Sequence, residues 1–161
     1  ISLIFTAATK TFSIAGCHTG TTIIPNAKLR SIYDREHAAF GKTPNRFGMI
    51  MTEAAYSGGQ EWLDQLMHYL EKNKSLFTNA MKSLNNVKVF DLESTYLAWV
   101  DFSQLDITEL KLKDMLIKEA GVAPSFGSGF GKNSGKFARF NIACRTEILD
   151  LAINRLTKTF L

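Results

Sequence analysis

The sequence predicts a mixed α/β fold that continues into an α+β region, and three observations support this. The chain has 161 residues, of which 45% are hydrophobic and 21% are charged, a balance typical of a globular protein with a buried core. Strand-like runs of β-branched and aromatic residues alternate with segments of 3.6-residue periodicity. No internal repeat is present, so a solenoid or a propeller is not indicated.

The first segment predicts a strand, a turn and a second strand. Ile1–Phe5 is apolar and predicts a buried strand, and the small residues of Thr6–Thr9 predict a turn before Lys10. The β-branched run Thr21–Ile24 predicts the next strand, which Pro25 ends. Because the chain begins inside an apolar run without a methionine, we interpret Ile1 as a cut rather than a natural start.

Helices are predicted over most of the following 60 residues. Asn26 is expected to cap the first, and a second is expected near Met49–Tyr56. Gly58 and Gly59 interrupt the pattern as a hinge. From Gln60 to about Leu84 the apolar residues keep the spacing of one long amphipathic helix, which we expect to connect two domains.

The last part predicts strands at Val87–Phe90, Tyr96–Phe102 and Phe137–Ala143 and helices at Thr108–Glu119 and Thr146–Phe160. Thr108 is expected to cap the first of these helices and Gly121 to end it. The glycine-rich segment 127–135 lacks the strand before and the helix after it that a phosphate loop requires. A mobile loop on the substrate side is the alternative that we favour.

Charge and cysteine content narrow the function classes. The formal net charge is +4, but the basic residues are scattered singly, so nucleic-acid binding is not predicted. Cys17 and Cys144 lack the spacing of a zinc site or a disulfide scaffold, so no metal is predicted. Unpaired cysteines of this kind predict a reduced, cytoplasmic location. The uncharged run Ile1–Thr9 is too short to span a membrane.

Lys10 is the candidate for covalent chemistry. Ala7, Ala8 and Thr9 precede it, and such small side chains would let a bulky group approach its amine. An amine attacks an aldehyde only when it is unprotonated, and apolar surroundings favour that state. From the spacing alone, an ordinary solvent-facing lysine is the competing interpretation.

A family resemblance favours a role of Lys10 in covalent chemistry. The segment Thr9 to Gly16, TKTFSIAG, resembles the segment that carries the cofactor lysine in the MalY/PatB-type cystathionine β-lyases, a branch of the class I and II aminotransferases. Further landmarks of that family follow in the same order: residues 54–63 (AAYSGGQEWL), Tyr69, Leu70, Asn73, residues 95–101 (TYLAWVD), Phe126, Gly127, Phe130, Gly131 and residues 139–144 (RFNIAC). The resemblance covers essentially the whole chain but well under half of such an enzyme.

The resemblance implies the aspartate aminotransferase fold, which is fold type I of the enzymes that depend on pyridoxal phosphate. Residues 1–58 would end the large cofactor-binding domain and carry the Schiff-base lysine. Residues 59–161 would form the linking helix and the small C-terminal α+β domain. A homodimer is expected, because this fold builds its active site at a subunit boundary.

The resemblance also implies roles for individual residues. Lys10 would bind pyridoxal phosphate and act as the catalytic base, the hydroxyl of Thr9 would donate to the phosphate, and Arg139 would hold the substrate carboxylate. Arg145 is the rival of Arg139, although we expect it to begin the last helix. His18 stands where related enzymes place a cationic phosphate ligand, and a packing or surface role is the alternative.

The implied reaction is β-elimination from cystathionine or a cysteine conjugate, which gives a thiol, pyruvate and ammonia. An aminotransferase of the same fold and a truncated, non-catalytic fragment are the alternatives. In the family, the N-terminal part supplies the acidic partner of the pyridine nitrogen, the aromatic residue that stacks on the cofactor ring and most phosphate contacts. The isolated chain is therefore expected to be a poor enzyme, or inactive, without such a part.

Overall fold

The computed structural model describes residues 1–41 and 43–161, and the chain divides into two compact units. The first unit is Ile1–Leu66 and the second is Met67–Leu161. The predicted boundary at residues 58 and 59 concerns the domains of the implied family and stays a prediction.

A short antiparallel strand pair opens the first unit. Strand β1 (Ile4–Thr6) pairs with strand β2 (Thr21–Ile23), and the segment between them forms helix α1 (Ala8–Thr11) and a 3₁₀ turn over Ala15–Cys17. The strands lie where the sequence predicts them. The turn that carries Lys10, however, is a single turn of α-helix.

The expected burial of Ile1–Phe5 is wrong for this chain. All three residues of β1 are exposed, and Phe5 retains 69% of its accessible surface. An apolar run predicts a core strand, but among the described residues β1 has one partner strand. A two-stranded ribbon alone cannot bury the side chains of both its faces.

Three helices follow β2. Helix α2 (Ala27–Ala39) is capped by Asn26, whose side chain accepts a hydrogen bond from the amide of Leu29 at 2.9 Å, as predicted. Helix α3 is Arg46–Gly58, and Asn45 caps it in the same way through the amide of Phe47 at 2.9 Å. Helix α4 (Gln60–Lys82) begins directly after Gly59, so the predicted hinge separates two helices.

The second unit contains a four-stranded antiparallel sheet. Its strands are β3 (Lys88–Val89), β4 (Leu97–Asp101), β5 (Ser125–Phe126) and β6 (Phe137–Asn141), in the order β3-β4-β6-β5. Strand β5 was not predicted. Its two residues are too few to show a period of two, and only the pairing with β6 makes them a strand.

Two helices complete the second unit. Helix α5 (Glu109–Asp114) begins at Thr108, whose side chain accepts from an amide at 3.2 Å, and continues as a π-helical turn over Met115–Glu119. Gly121 then adopts a φ of 64°, and the amide of Val122 donates to the carbonyl of Leu116 at 2.8 Å. This turn ends the helix at Gly121, as predicted. Helix α6 spans Thr146–Phe160.

The two faces of this sheet differ in their surroundings. Residues on one face are buried and join the core with side chains of α4, α5 and α6: Phe77, Met81, Ala98, Val100, Leu112, Leu116, Ala138, Phe140, Leu149 and Leu156. Because alternate residues of a strand point to opposite faces, Trp99 and Arg139 project from the other face, where they are half-buried. Arg139 therefore lies outside the core. Within the described residues, no helix is both long and apolar enough to cross a membrane.

Candidate functional site

Lys10 lies in the short helix α1, after one buried and one half-buried residue. Ala8 is buried, Thr9 is half-buried and the side chain of Lys10 is exposed. The exposed side chain of Lys10 follows the small residues Ala7, Ala8 and Thr9, and the approach of a bulky group to its amine stays a prediction. The expected apolar surroundings are not found among the described residues.

Aromatic contacts fix the backbone directly after Lys10. The ring of Phe12 stacks on Trp62 with 6.1 Å between the ring centroids, and it meets Tyr56 edge to face at 5.8 Å. Such pairs each stabilise by about 0.5–1.5 kcal/mol beyond their burial. A Cβ atom at Gly59 would lie 2.6 Å from Cε1 of Phe12, so a larger residue there would displace the ring.

Helix α3 also supports the chain that follows Lys10. The hydroxyl of Thr19 donates to the carbonyl of Cys17 at 2.9 Å, and the Cys17 thiol donates to the Met51 sulfur at 3.1 Å. Gly48 allows the close approach of this loop, because a Cβ atom there would overlap Oγ1 of Thr19 and lie 2.7 Å from the Cys17 carbonyl oxygen. The lysine turn thus has two independent supports.

Gly48→Ala should disturb this packing and lower the free energy of unfolding by about 1–3 kcal/mol, the usual cost of overfilling a packed site. Gly58→Ala is the matched control in the same helix, since nothing lies within 4 Å of a Cβ atom there. The control should be neutral or stabilise by up to about 1 kcal/mol. Urea unfolding of both variants measures the difference, and equal midpoints would show that Gly48 is not needed for close packing.

His18 lies exposed in the loop after Lys10, with a φ of 46°. This surface position fits one of the two interpretations drawn from the sequence. A contact of His18 with phosphate stays a prediction, as does the hydrogen bond from Thr9.

Arg139 lies in the second unit, in the middle of the sheet. It pairs across the strands with Trp99 of β4 on one side and with Ser125 of β5 on the other. Its Nη2 donates to Oγ of Ser125 at 3.3 Å, and its guanidinium carbon lies 4.6 Å from the ring centroid of Phe130. The sequence gives no sign of Ser125, since β5 is too short for a pattern. Phe130 is one of the family landmarks in the sequence, but no local signal indicates its contact with Arg139.

The Nε atom of Arg139 is buried and has no hydrogen-bond partner among the described residues. An unpaired buried donor costs about 1–3 kcal/mol, so an arrangement of this kind favours an acceptor from outside. A carboxylate can accept from two guanidinium N–H groups at once. The arrangement of Arg139 therefore fits an anionic ligand.

Arg145, the rival of Arg139, occupies the position before α6. It is exposed, and its carbonyl accepts hydrogen bonds from Ile148 at 3.0 Å and Leu149 at 3.1 Å. Arg145 therefore begins the last helix, as expected.

A buried polar cluster holds the chain that follows β6. Nδ2 of Asn73 donates to the carbonyls of Ile142 and Cys144, both at 2.9 Å, and Oδ1 of Asn73 accepts from the hydroxyl of Thr146 at 3.0 Å. The Tyr69 hydroxyl accepts from the amide of Thr146 at 2.7 Å. Helix α4 is thereby bonded to the segment between Arg139 and α6.

The described residues hold no group of three or more histidine, cysteine or acidic side chains that could bind a metal. Burial raises the pKa of the Cys144 thiol, which lowers the fraction of reactive thiolate. Neither feature adds a second candidate site.

Comparisons with known proteins extend over nearly the whole chain. It is 32% identical over 158 residues to cystathionine β-lyase PatB of Bacillus subtilis, covering 97% of this chain and 41% of PatB. It is 29% identical to MalY of Escherichia coli, covering 93% of this chain and 39% of MalY. The chain thus spans about two fifths of the length of these curated relatives. No family model matches the chain.

Solved structures give the same result for the fold. Cystalysin of Treponema denticola, whose structure contains pyridoxal 5′-phosphate, superposes with a TM-score of 0.90 at 28% identity and covers 98% of this chain and 40% of cystalysin. The C–S lyase of Staphylococcus hominis, bound to pyridoxal phosphate, superposes with a TM-score of 0.82 at 28% identity, over 99% of this chain and 41% of the lyase.

The predicted resemblance and fold class are thereby confirmed: along almost its whole length, this chain is similar to the C-terminal part of MalY/PatB-type cystathionine β-lyases, and it has the fold of pyridoxal-phosphate-dependent aminotransferases.

Proposed function

We propose that this chain is the C-terminal part of a pyridoxal-phosphate-dependent C–S β-lyase that acts on cystathionine or a related cysteine conjugate. The similarity to PatB over 97% of the chain is the observation that supports the proposal most. The overall reaction consumes water and releases a thiol, pyruvate and ammonia. The chain's contribution would be the lysine and the carboxylate-binding arginine.

Lys10 and Thr9 would hold the cofactor. Lys10 is exposed on a turn whose preceding residues are small, so a bulky aldehyde can reach its amine. The adjacent hydroxyl of Thr9 is a donor suited to a phosphate oxygen. Pyridoxal phosphate, when bound, withdraws electrons from the bonds at the substrate Cα.

Lys10 and Arg139 would act on the substrate. The Lys10 amine is the group of this chain suited to take the proton from Cα, because an unprotonated lysine is a competent general base. Arg139 would bind the α-carboxylate through its unpaired Nε and a terminal nitrogen, which also satisfies the buried donor. Binding the carboxylate in one orientation would place the Cα proton in a fixed direction.

Two alternatives stand beside this proposal. The chain is 28% identical over 103 residues to LL-diaminopimelate aminotransferase of Protochlamydia amoebophila, which favours an aminotransferase of the same fold. A truncated, non-catalytic fragment is the second alternative. We also propose a cytoplasmic location, which the two free cysteines support. A homodimer is proposed on the resemblance alone.

Incubation of the protein with pyridoxal phosphate and L-cystathionine tests this function. We expect thiol and pyruvate in equal amounts, at a low rate because the chain spans only part of its relatives. L-Methionine is the control substrate, since it has no leaving group on Cβ and should release neither product. Transfer of the amino group to an added 2-oxo acid without thiol would identify an aminotransferase, and no product would favour the non-catalytic fragment.

A further inference from the structure

Phe130 makes an unusual pair of contacts for an exposed side chain. It retains 52% of its accessible surface, yet the guanidinium carbon of Arg139 lies over its ring, 4.6 Å from the ring centroid. The same ring meets Trp99 edge to face, with 5.4 Å between the centroids and 86° between the planes. Trp99 in turn stacks on Phe137 at 5.7 Å. Phe130 thus connects the arginine to a row of aromatic rings on this face of the sheet.

We propose that Phe130 is a positioning residue for Arg139, one that holds the guanidinium in the plane from which it binds the substrate carboxylate. The inference rests on the proposed role of Arg139. In this inference, Phe130 and the loop that carries it affect the affinity for the carboxylate through Arg139, without contacting the carboxylate themselves.

A guanidinium can contact an aromatic ring and a carboxylate at the same time, because the two partners use different parts of the group. An aromatic ring attracts the cation through its face, whereas a carboxylate accepts hydrogen bonds along the edge, in the guanidinium plane. The Phe130 ring contacts the cation, with 4.6 Å from the guanidinium carbon to the ring centroid, and Ser125 accepts from Nη2 at 3.3 Å. The edge that includes Nε keeps an unpaired donor. A ring in contact with the guanidinium therefore restricts the movement of the group without using a hydrogen-bond donor, and the Nε donor is left for the ligand.

The loop before β6 is held closely enough to keep Phe130 in place. The amide of Phe130 donates to the carbonyl of Gly127 at 2.8 Å, and the amide of Phe137 donates to the carbonyl of Ser134 at 2.9 Å. A Cβ atom at Gly127 would overlap the Ser134 carbonyl oxygen, so the two ends of the loop lie in direct contact. Lys113 also donates to Ser128 at 3.4 Å.

The test uses Trp99 as a reporter beside Phe130. The chain has two tryptophans, so Trp62→Phe leaves Trp99 as the only one. The probe is 3-(methylthio)propionate, which has a carboxylate and a thioether but no amine and so cannot react with a cofactor on Lys10. We expect a saturable change of Trp99 emission, and Phe130→Leu should raise the concentration at half saturation about tenfold. Phe130→Tyr, which keeps the ring, should stay within about twofold.

The amide of the same probe separates positioning from a general loosening of the structure. A loosened site would weaken acid and amide equally, whereas a tilted guanidinium would weaken the acid more, so Phe130→Leu should reduce the preference for the acid. An unchanged preference, or no saturable response in the parent protein, would overturn the inference. If Arg139→Gln abolishes the response while Phe130→Leu binds normally, only the inference fails. If Arg139→Gln binds normally, the proposed role of Arg139 fails as well.

Discussion

Replacing Lys10 by arginine should abolish labelling at position 10. After incubation with pyridoxal phosphate and reduction with borohydride, the amount of pyridoxyl group there should equal that of an unreacted sample. A guanidinium stays protonated at any usable pH and cannot form an imine, whereas it preserves the positive charge and most of the length of the side chain. Lys10 is exposed, so the substitution should leave the fold unchanged. Incubation with pyridoxal phosphate, reduction and peptide mass mapping measure the label at each lysine.

Lys28→Arg is the matched control for the lysine experiment. Lys28 is an exposed lysine in helix α2 of the same unit, and it lies outside the segment Thr9 to Gly16 that resembles the family's cofactor-lysine segment. The control should retain the visible absorbance of the bound cofactor before reduction and the pyridoxyl label at Lys10 after reduction. Labelling spread evenly over the exposed lysines of the parent protein would contradict a dedicated site, because free aldehyde modifies accessible amines without selection.

Local signals made much of the fold predictable. Asn26 and Thr108 cap the helices that follow them through their own side chains, and α6 spans the predicted residues Thr146–Phe160. Each of these signals lies within a few residues of the structure that it specifies. The burial of Ile1–Phe5 was predicted wrongly, because burial depends on what packs against a strand and not on the composition of the strand.

The candidate site was predictable only in part for the same reason. The resemblance named Lys10 and Arg139 as candidates, but the residues that support Arg139 and the backbone after Lys10 come from other parts of the chain. Trp62 stacks on Phe12 across 50 positions of sequence, and Phe130 contacts Arg139 from a glycine-rich loop without periodicity. A single sequence contains no local signal for such contacts.

Asn73 offers the largest expected effect on stability. Its side chain is 0% exposed and bonds to two backbone carbonyls, those of Ile142 and Cys144, and to the hydroxyl of Thr146. Asn73→Leu keeps a side chain of similar length but leaves the buried carbonyls without these donors. Each unpaired group costs about 1–3 kcal/mol, so we expect the free energy of unfolding to fall by about 3 kcal/mol or more.

Asn79→Leu, on the same helix α4, is the control for this prediction. Asn79 is exposed, so its replacement should change the free energy of unfolding by less than about 0.5 kcal/mol. Thermal unfolding followed by circular dichroism should therefore show a midpoint about 6–12 °C lower for Asn73→Leu and nearly unchanged for Asn79→Leu. Equal midpoints would mean that the segment after Arg139 is held by its apolar contacts alone. A large difference would instead show that this buried amide holds the segment that follows β6, which ends at Asn141, two positions beyond the arginine that we propose as the carboxylate ligand.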